Sequence, residues 1–166
     1  MKNAMVVSLG SAVLATFLAP GAAFADQSYA VDSTWCRAGT VTVLAKSEGV
    51  IVWALDHRGV AQSKDVNDVF HGDTQRCIGV ISNIAGKRSG NGWCRGVDAK
   101  TGDWTLVDWT AGEKPGAGTW SYRYGVGKWK GVTGGGTYES LGQTRPVDPG
   151  TYQNCIRVKG TANIPG

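Results

Sequence analysis

Gly125-Val126-Gly127-Lys128-Trp129-Lys130-Gly131-Val132-Thr133-Gly134-Gly135-Gly136-Thr137-Tyr138 is the stretch on which the fold turns. Six of these fourteen residues are glycine, yet Trp129, Val132 and Tyr138 are large and apolar. Each glycine would cost a helix interior about 1 kcal/mol, and a flexible linker has little apolar surface to bury. The segment reads as strand, sharp bend, strand, where the backbone takes positive φ or runs against another backbone. Barrel corners have that requirement.

Outward from this stretch, strand signals dominate and helix periodicity is nearly absent. Expected strands are Thr40 to Lys46, Val50 to Asp56, Arg76 to Ile84, Gly92 to Val97, Asp103 to Thr110, Gly118 to Tyr124, Lys128 to Val132, Thr137 to Leu141 and Asn154 to Gly160. Eight or nine short strands with turns between them predict an antiparallel barrel or sandwich. The strand from Val50 is apolar on both faces, with Ile51, Trp53 and Leu55 on one and Val50, Val52 and Ala54 on the other. A half-exposed sheet would not be; a barrel would, with one face lining a lumen.

Residues 1–25 read as a secretory signal: Lys2, an apolar run from Ala4 to Leu18, and the small-x-small site Ala23-Phe24-Ala25. Residues 26–166 then form one domain, expected to be periplasmic or secreted, with no stable membrane insertion after signal removal. The cysteines Cys36, Cys77, Cys94 and Cys155 all follow that site, so two disulfides are expected. Of the three possible pairings, Cys77–Cys94 would join neighbouring strands. Cys36–Cys155 would tie the ends of the domain, which adjoin when a sheet closes on itself. Zinc is disfavoured, because there is no Cys-x-x-Cys and His57 and His71 stand away from any cysteine pair. The net charge of +4 is scattered rather than striped, which argues against a nucleic-acid surface. Gly-x-Gly-Lys at 125–128 lacks the spacing and the Ser or Thr of a phosphate loop. No cofactor is expected.

Three segments carry a resemblance. Gly92-Trp93-Cys94-Arg95 followed by Asp98-Ala99-Lys100-Thr101-Gly102-Asp103 resembles the strand, acidic turn and strand of allene oxide cyclase barrel-like proteins. Gly127 to Tyr138 resembles the Gly-Lys-aromatic-x-Gly-hydrophobic-x-Gly signature of that group, shared more loosely with plant dirigent proteins. Arg76-Cys77-Ile78-Gly79 is similar to a Cys-x-Gly strand of exported bacterial members. The resemblance implies an all-β, eight-stranded calycin-like barrel, often trimeric. It assigns no catalytic residue, because the matched motifs are structural.

Seven tryptophans then supply the functional expectation. A lumen walled by Trp53, Trp93, Trp109 and Tyr122 would hold a small apolar or aromatic molecule. Asp56-His57-Arg58 is the densest polar cluster. His57 is a candidate acid or base there, although a strand end before Gly59 also reads as an exposed hairpin tip. Glu139 is the other catalytic candidate, should its carboxyl face the lumen. The alternatives to a binding barrel are a cyclase or isomerase acting on a hydrophobic substrate and a non-catalytic interaction barrel, as a homotrimer.

Overall fold

Alternating apolar residues and turn glycines fold into eight antiparallel strands that close on themselves. The structure is a computed structural model describing residues 26–65, 68–142 and 144–166; the expected signal at 1–25 lies outside the described residues. The strands are β1 (Gln27–Ser47), β2 (Val50–Gln62), β3 (Thr74–Ile84), β4 (Lys87–Val97), β5 (Trp104–Ala111), β6 (Gly118–Gly125), β7 (Thr133–Ser140) and β8 (Thr151–Ile164). Each pairs with its sequence neighbour, and β8 pairs with β1 to close the barrel.

One row of paired residues shows how the interior is filled. It runs Val41, Leu55, Gly79, Gly92, Trp109, Trp120, Gly136, Gly160 and returns to β1 at Val31, ten residues before it left. That offset is the stagger a tilted eight-stranded barrel requires. Two tryptophans stand side by side with two glycines on either hand. A β-carbon at Gly92 would come within 2.6 Å of Trp109 Cε2, so the Trp109 indole lies where side chains of β3 and β4 would otherwise be. On the other side the Trp120 indole reaches over Gly136 and donates from Nε1 to the Lys159 carbonyl at 3.3 Å. Glycine inside these strands makes space for indole.

The glycine-rich stretch differs from its expected form. Lys128 to Val132 is not a strand. Gly127–Trp129 is a 3₁₀ turn, and Thr133–Ser140 forms one continuous strand. Gly127 and Gly131 have φ of 60° and 76°, which L side chains resist. The turn caps one end of the barrel. Trp129 is 2% exposed and stacks on Phe70 of the β2–β3 connection, ring centroids 5.5 Å apart. Lys128 forms an ion pair with the buried carboxylate of Asp98, and its N–H donates to Asp103 Oδ2 at 3.1 Å. The Gly-Lys-Trp motif is therefore an end plug. Asp98 Oδ1 meanwhile accepts the Lys100 and Thr101 N–H groups at 2.9 and 2.8 Å and holds the β4–β5 turn.

β1 is much longer than Thr40 to Lys46. Its first half mixes Ser, Asp and Arg with apolar residues, which weakens the strand signal, yet Tyr29, Val31, Ser33, Trp35 and Arg37 alternate inward. The two disulfides join directly paired residues, Cys36 with Cys155 across the β1–β8 seam and Cys77 with Cys94 across β3 and β4.

Candidate functional site in the barrel lumen

Side-chain parity divides the barrel wall. Cys77, Ile81, Cys94, Val107, Trp109, Trp120 and Tyr122 face a cavity of about 130 Å³ that runs through the interior. An apolar cavity of roughly 150 Å³ holds one benzene, so this one matches a single aromatic ring. Trp109 and Tyr122 line it as expected, and Trp53 lies on the same face, packed against the core.

Trp93 does not. It is 47% exposed on the outer surface, opposite Ile78, because its neighbour Cys94 points inward. Mid-strand position locates a residue along the barrel and says nothing of its face. Glu139 also faces outward, exposed and paired with Arg157 of β8, away from any lumen group.

His57 is inside. It is 1% exposed in the middle of β2, so the hairpin-tip reading is overturned: β2 continues to Gln62. Its partners come from strands on both sides. Gly39 of β1 pairs with His57 of β2 on one edge and with Tyr152 of β8 on the other. Having no side chain, Gly39 lets the two rings meet across β1. Their centroids are 5.6 Å apart at an interplanar angle of 79°, and Tyr152 Oη is hydrogen-bonded to His57 Nδ1. Arg37 Nη1 donates to His57 Nε2 at 3.3 Å, and Arg37 Nε donates to Asn154 Oδ1 at 2.8 Å.

An arginine can only donate. His57 Nε2 is therefore the acceptor, Nδ1 carries the ring proton, and Nδ1–H donates to Tyr152 Oη. Burial first, and then the Arg37 charge, push the His57 pKa down to about 3, so the ring is neutral at ordinary pH. Burial likewise pushes the Tyr152 phenol up to about 12.

The unfolded chain protonates His57 near its ordinary value of 6.5, whereas the folded ring resists protonation down to about 3. The stability this difference supplies is complete above pH 6.5 and is lost as pH falls from 6.5 towards 3. His57→Asn is expected to flatten that part of the stability–pH curve. Urea titrations between pH 7 and 3.5 check it; equal slopes in both proteins would contradict the assignment.

At the plugged end, Asp73 is buried and accepts the Ala99 N–H at 3.1 Å. Burial, then nearby Asp98, raise its pKa to about 6, against the Ala99 hydrogen bond. Asp73 bears on stability in the sense opposite to His57. Its penalty is absent below its ordinary value near 4 and complete above about 6. The lumen is thus polarised. Its carboxylates, Asp73 and Asp98, stand at the plugged end, while Arg37 and Arg88 line the rest.

Sequence reasoning missed Arg37, Arg88, Tyr152, Asn154, Trp120 and Asp73. Parity counted from the inward Cys77 and Cys94 would have found Asp73 and Arg88; Arg37 and Asn154 adjoin Cys36 and Cys155, which have the opposite parity, and the strand of Trp120 has no cysteine. No group of three or more metal-ligating side chains occurs among the described residues.

Neither a protein-family model nor a curated protein sequence matches the chain. Two solved structures resemble it in fold. The pterocarpan synthase dirigent protein GePTS1 aligns with a TM-score of 0.54 and 10% identity over 94% of this chain and 99% of that one. The pterocarpan synthase dirigent protein PsPTS1 gives 0.53 and 10% over 84% and 97%. At that identity the likeness concerns fold alone: this chain has the closed eight-stranded barrel of the dirigent proteins.

Proposed function

We propose that the protein is an exported binding barrel whose lumen holds a small aromatic molecule. The observation that carries this is the tryptophan pair. Trp109 and Trp120 border a ring-sized cavity, and Trp109 Nε1 is buried with no hydrogen-bond partner. Buried N–H groups are nearly always paired, so a ligand oxygen over Trp109 would complete the site. The dirigent fold supports an occupied lumen, and two disulfides support an oxidising compartment such as the periplasm or the exterior. Titration with phenol, followed by tryptophan fluorescence, tests it. Saturable quenching that weakens in Trp109→Phe is expected; no saturable change would refute it.

A cyclase or isomerase reading has Asp73 behind it, a lumen carboxyl with a pKa near neutrality. Turnover of a trial hydrophobic epoxide by the wild type and not by Asp73→Asn would support it; equal rates would remove it.

The outer wall bears on assembly. Ile78 and Trp93 are directly paired and 51% and 47% exposed, with Val80 beside them. Such a patch fits burial against further copies of the chain, as in a homotrimer. Sedimentation of a monomer at all concentrations would rule that out.

A further inference from the structure

The lumen arginines point to the chemistry of the ligand. Ion pairs among the described residues are Arg76–Asp56, Arg123–Asp108, Lys128–Asp98 and Arg157–Asp32. Arg37 and Arg88 line the cavity and belong to none of them. Arg88 lies over the Trp53 ring at 5.6 Å, and its Nε is buried without a hydrogen-bond partner. Arg37 rests on two neutral acceptors, Asn154 and His57. A buried cation without a counterion is costly, and proteins pair such charges.

Donors also outnumber acceptors here. The His57 tautomer set by Arg37 leaves both ring nitrogens occupied. Tyr152 accepts from Nδ1–H, so its own O–H proton is uncommitted. Arg88 Nε therefore remains a donor without an acceptor in the cavity wall, and Arg37 lines the same cavity with only neutral partners. The cavity's carboxylates stand apart at the plugged end, where Ala99, Lys128 and the β4–β5 turn occupy them.

We infer that the lumen selects a monocyclic aromatic carboxylate, its ring beside Trp109 and Trp120 and its carboxylate on Arg37 and Arg88. This rests on the lumen-binding reading and adds the anion to it. A planar carboxylate matches the forked donors of arginine. The ring-sized cavity excludes larger polycyclic acids.

Benzoate and benzamide test the proposal, since they share shape and differ in charge. Calorimetric titration at pH 7 and low salt is expected to give benzoate an affinity roughly tenfold or more above benzamide, the scale of a charge-assisted hydrogen bond. Arg37→Gln and Arg88→Gln should each lower benzoate affinity and leave benzamide affinity nearly unchanged. Added sodium chloride should weaken benzoate binding alone, a readout that stands even if Arg37→Gln fails to fold. Equal binding of both compounds, or an undiminished benzoate preference in Arg88→Gln together with salt independence, would overturn the anion assignment while leaving the lumen reading in place. Binding of neither compound, or of phenol, would overturn both.

Discussion

Replacing Cys36 and Cys155 together by alanine is expected to lower unfolding free energy by about 4–5 kcal/mol, the largest loss from any single covalent change in this chain. The two cysteines are 119 residues apart in sequence, whereas Cys77 and Cys94 are 17 apart. In the chain-entropy description a loop of roughly a hundred residues stabilises by about 4.7 kcal/mol when closed, and one of about fifteen by about 3. Position reinforces length. Cys36–Cys155 crosses the β1–β8 seam, the pairing that joins the ends of the chain and removes the last free sheet edges. Cys77–Cys94 joins strands already linked by a short hairpin. Denaturant titration of the two double-alanine proteins should rank the seam pair as the costlier loss. The reverse order would show that the unfolded chain is already compact around β1 and β8.

Gly92→Val is expected to cost at least about 3 kcal/mol, although it adds apolar surface to an apolar lumen. Added volume in a packed interior commonly costs about 1–3 kcal/mol through displaced side chains. Here a β-carbon at Gly92 meets the Ile78 carbonyl oxygen of β3 first and then the buried Trp109 indole, within 2.6 Å of its Cε2, so both strand backbone and tryptophan must shift. The Trp109 indole has no alternative seat: Gly79 presses it from β3, and Trp120 is its direct partner on β6. Thermal unfolding and the near-ultraviolet circular dichroism of tryptophan report the effect together. A Gly92→Val protein with an unchanged midpoint would mean that neither the Ile78 carbonyl nor Trp109 closes on Gly92.

These two positions show how much of the molecule is legible in its sequence. The barrel was legible because glycine and tryptophan set within alternating strands suit a sheet that bends sharply and encloses a core, and because cysteines after an expected signal segment predict cross-links. Phase was not legible. Ile78 and Trp93 are as apolar as Cys77 and Cys94, so the alternation gives a period of two without saying which set faces inward. That ambiguity misplaced Trp93. The His57 cluster was hidden for a different reason. Its members come from β1, β2 and β8, and they meet because Gly39 lacks a side chain, a relation visible only once β8 is known to return beside β1. Arg37 reads in sequence as one scattered charge among many, and its meaning depends on its belonging to no ion pair among the described residues.

The indole ¹H–¹⁵N spectrum, recorded as phenol is added, tests the central claim most directly, because each of the seven tryptophans reports its own place. The Trp109 and Trp120 resonances should move and saturate, Trp109 furthest as its unpartnered N–H finds an oxygen, while Trp93 on the outer wall stays still. Movement of Trp93 with Trp109 and Trp120 unchanged would put the molecule outside the barrel and contradict an occupied lumen.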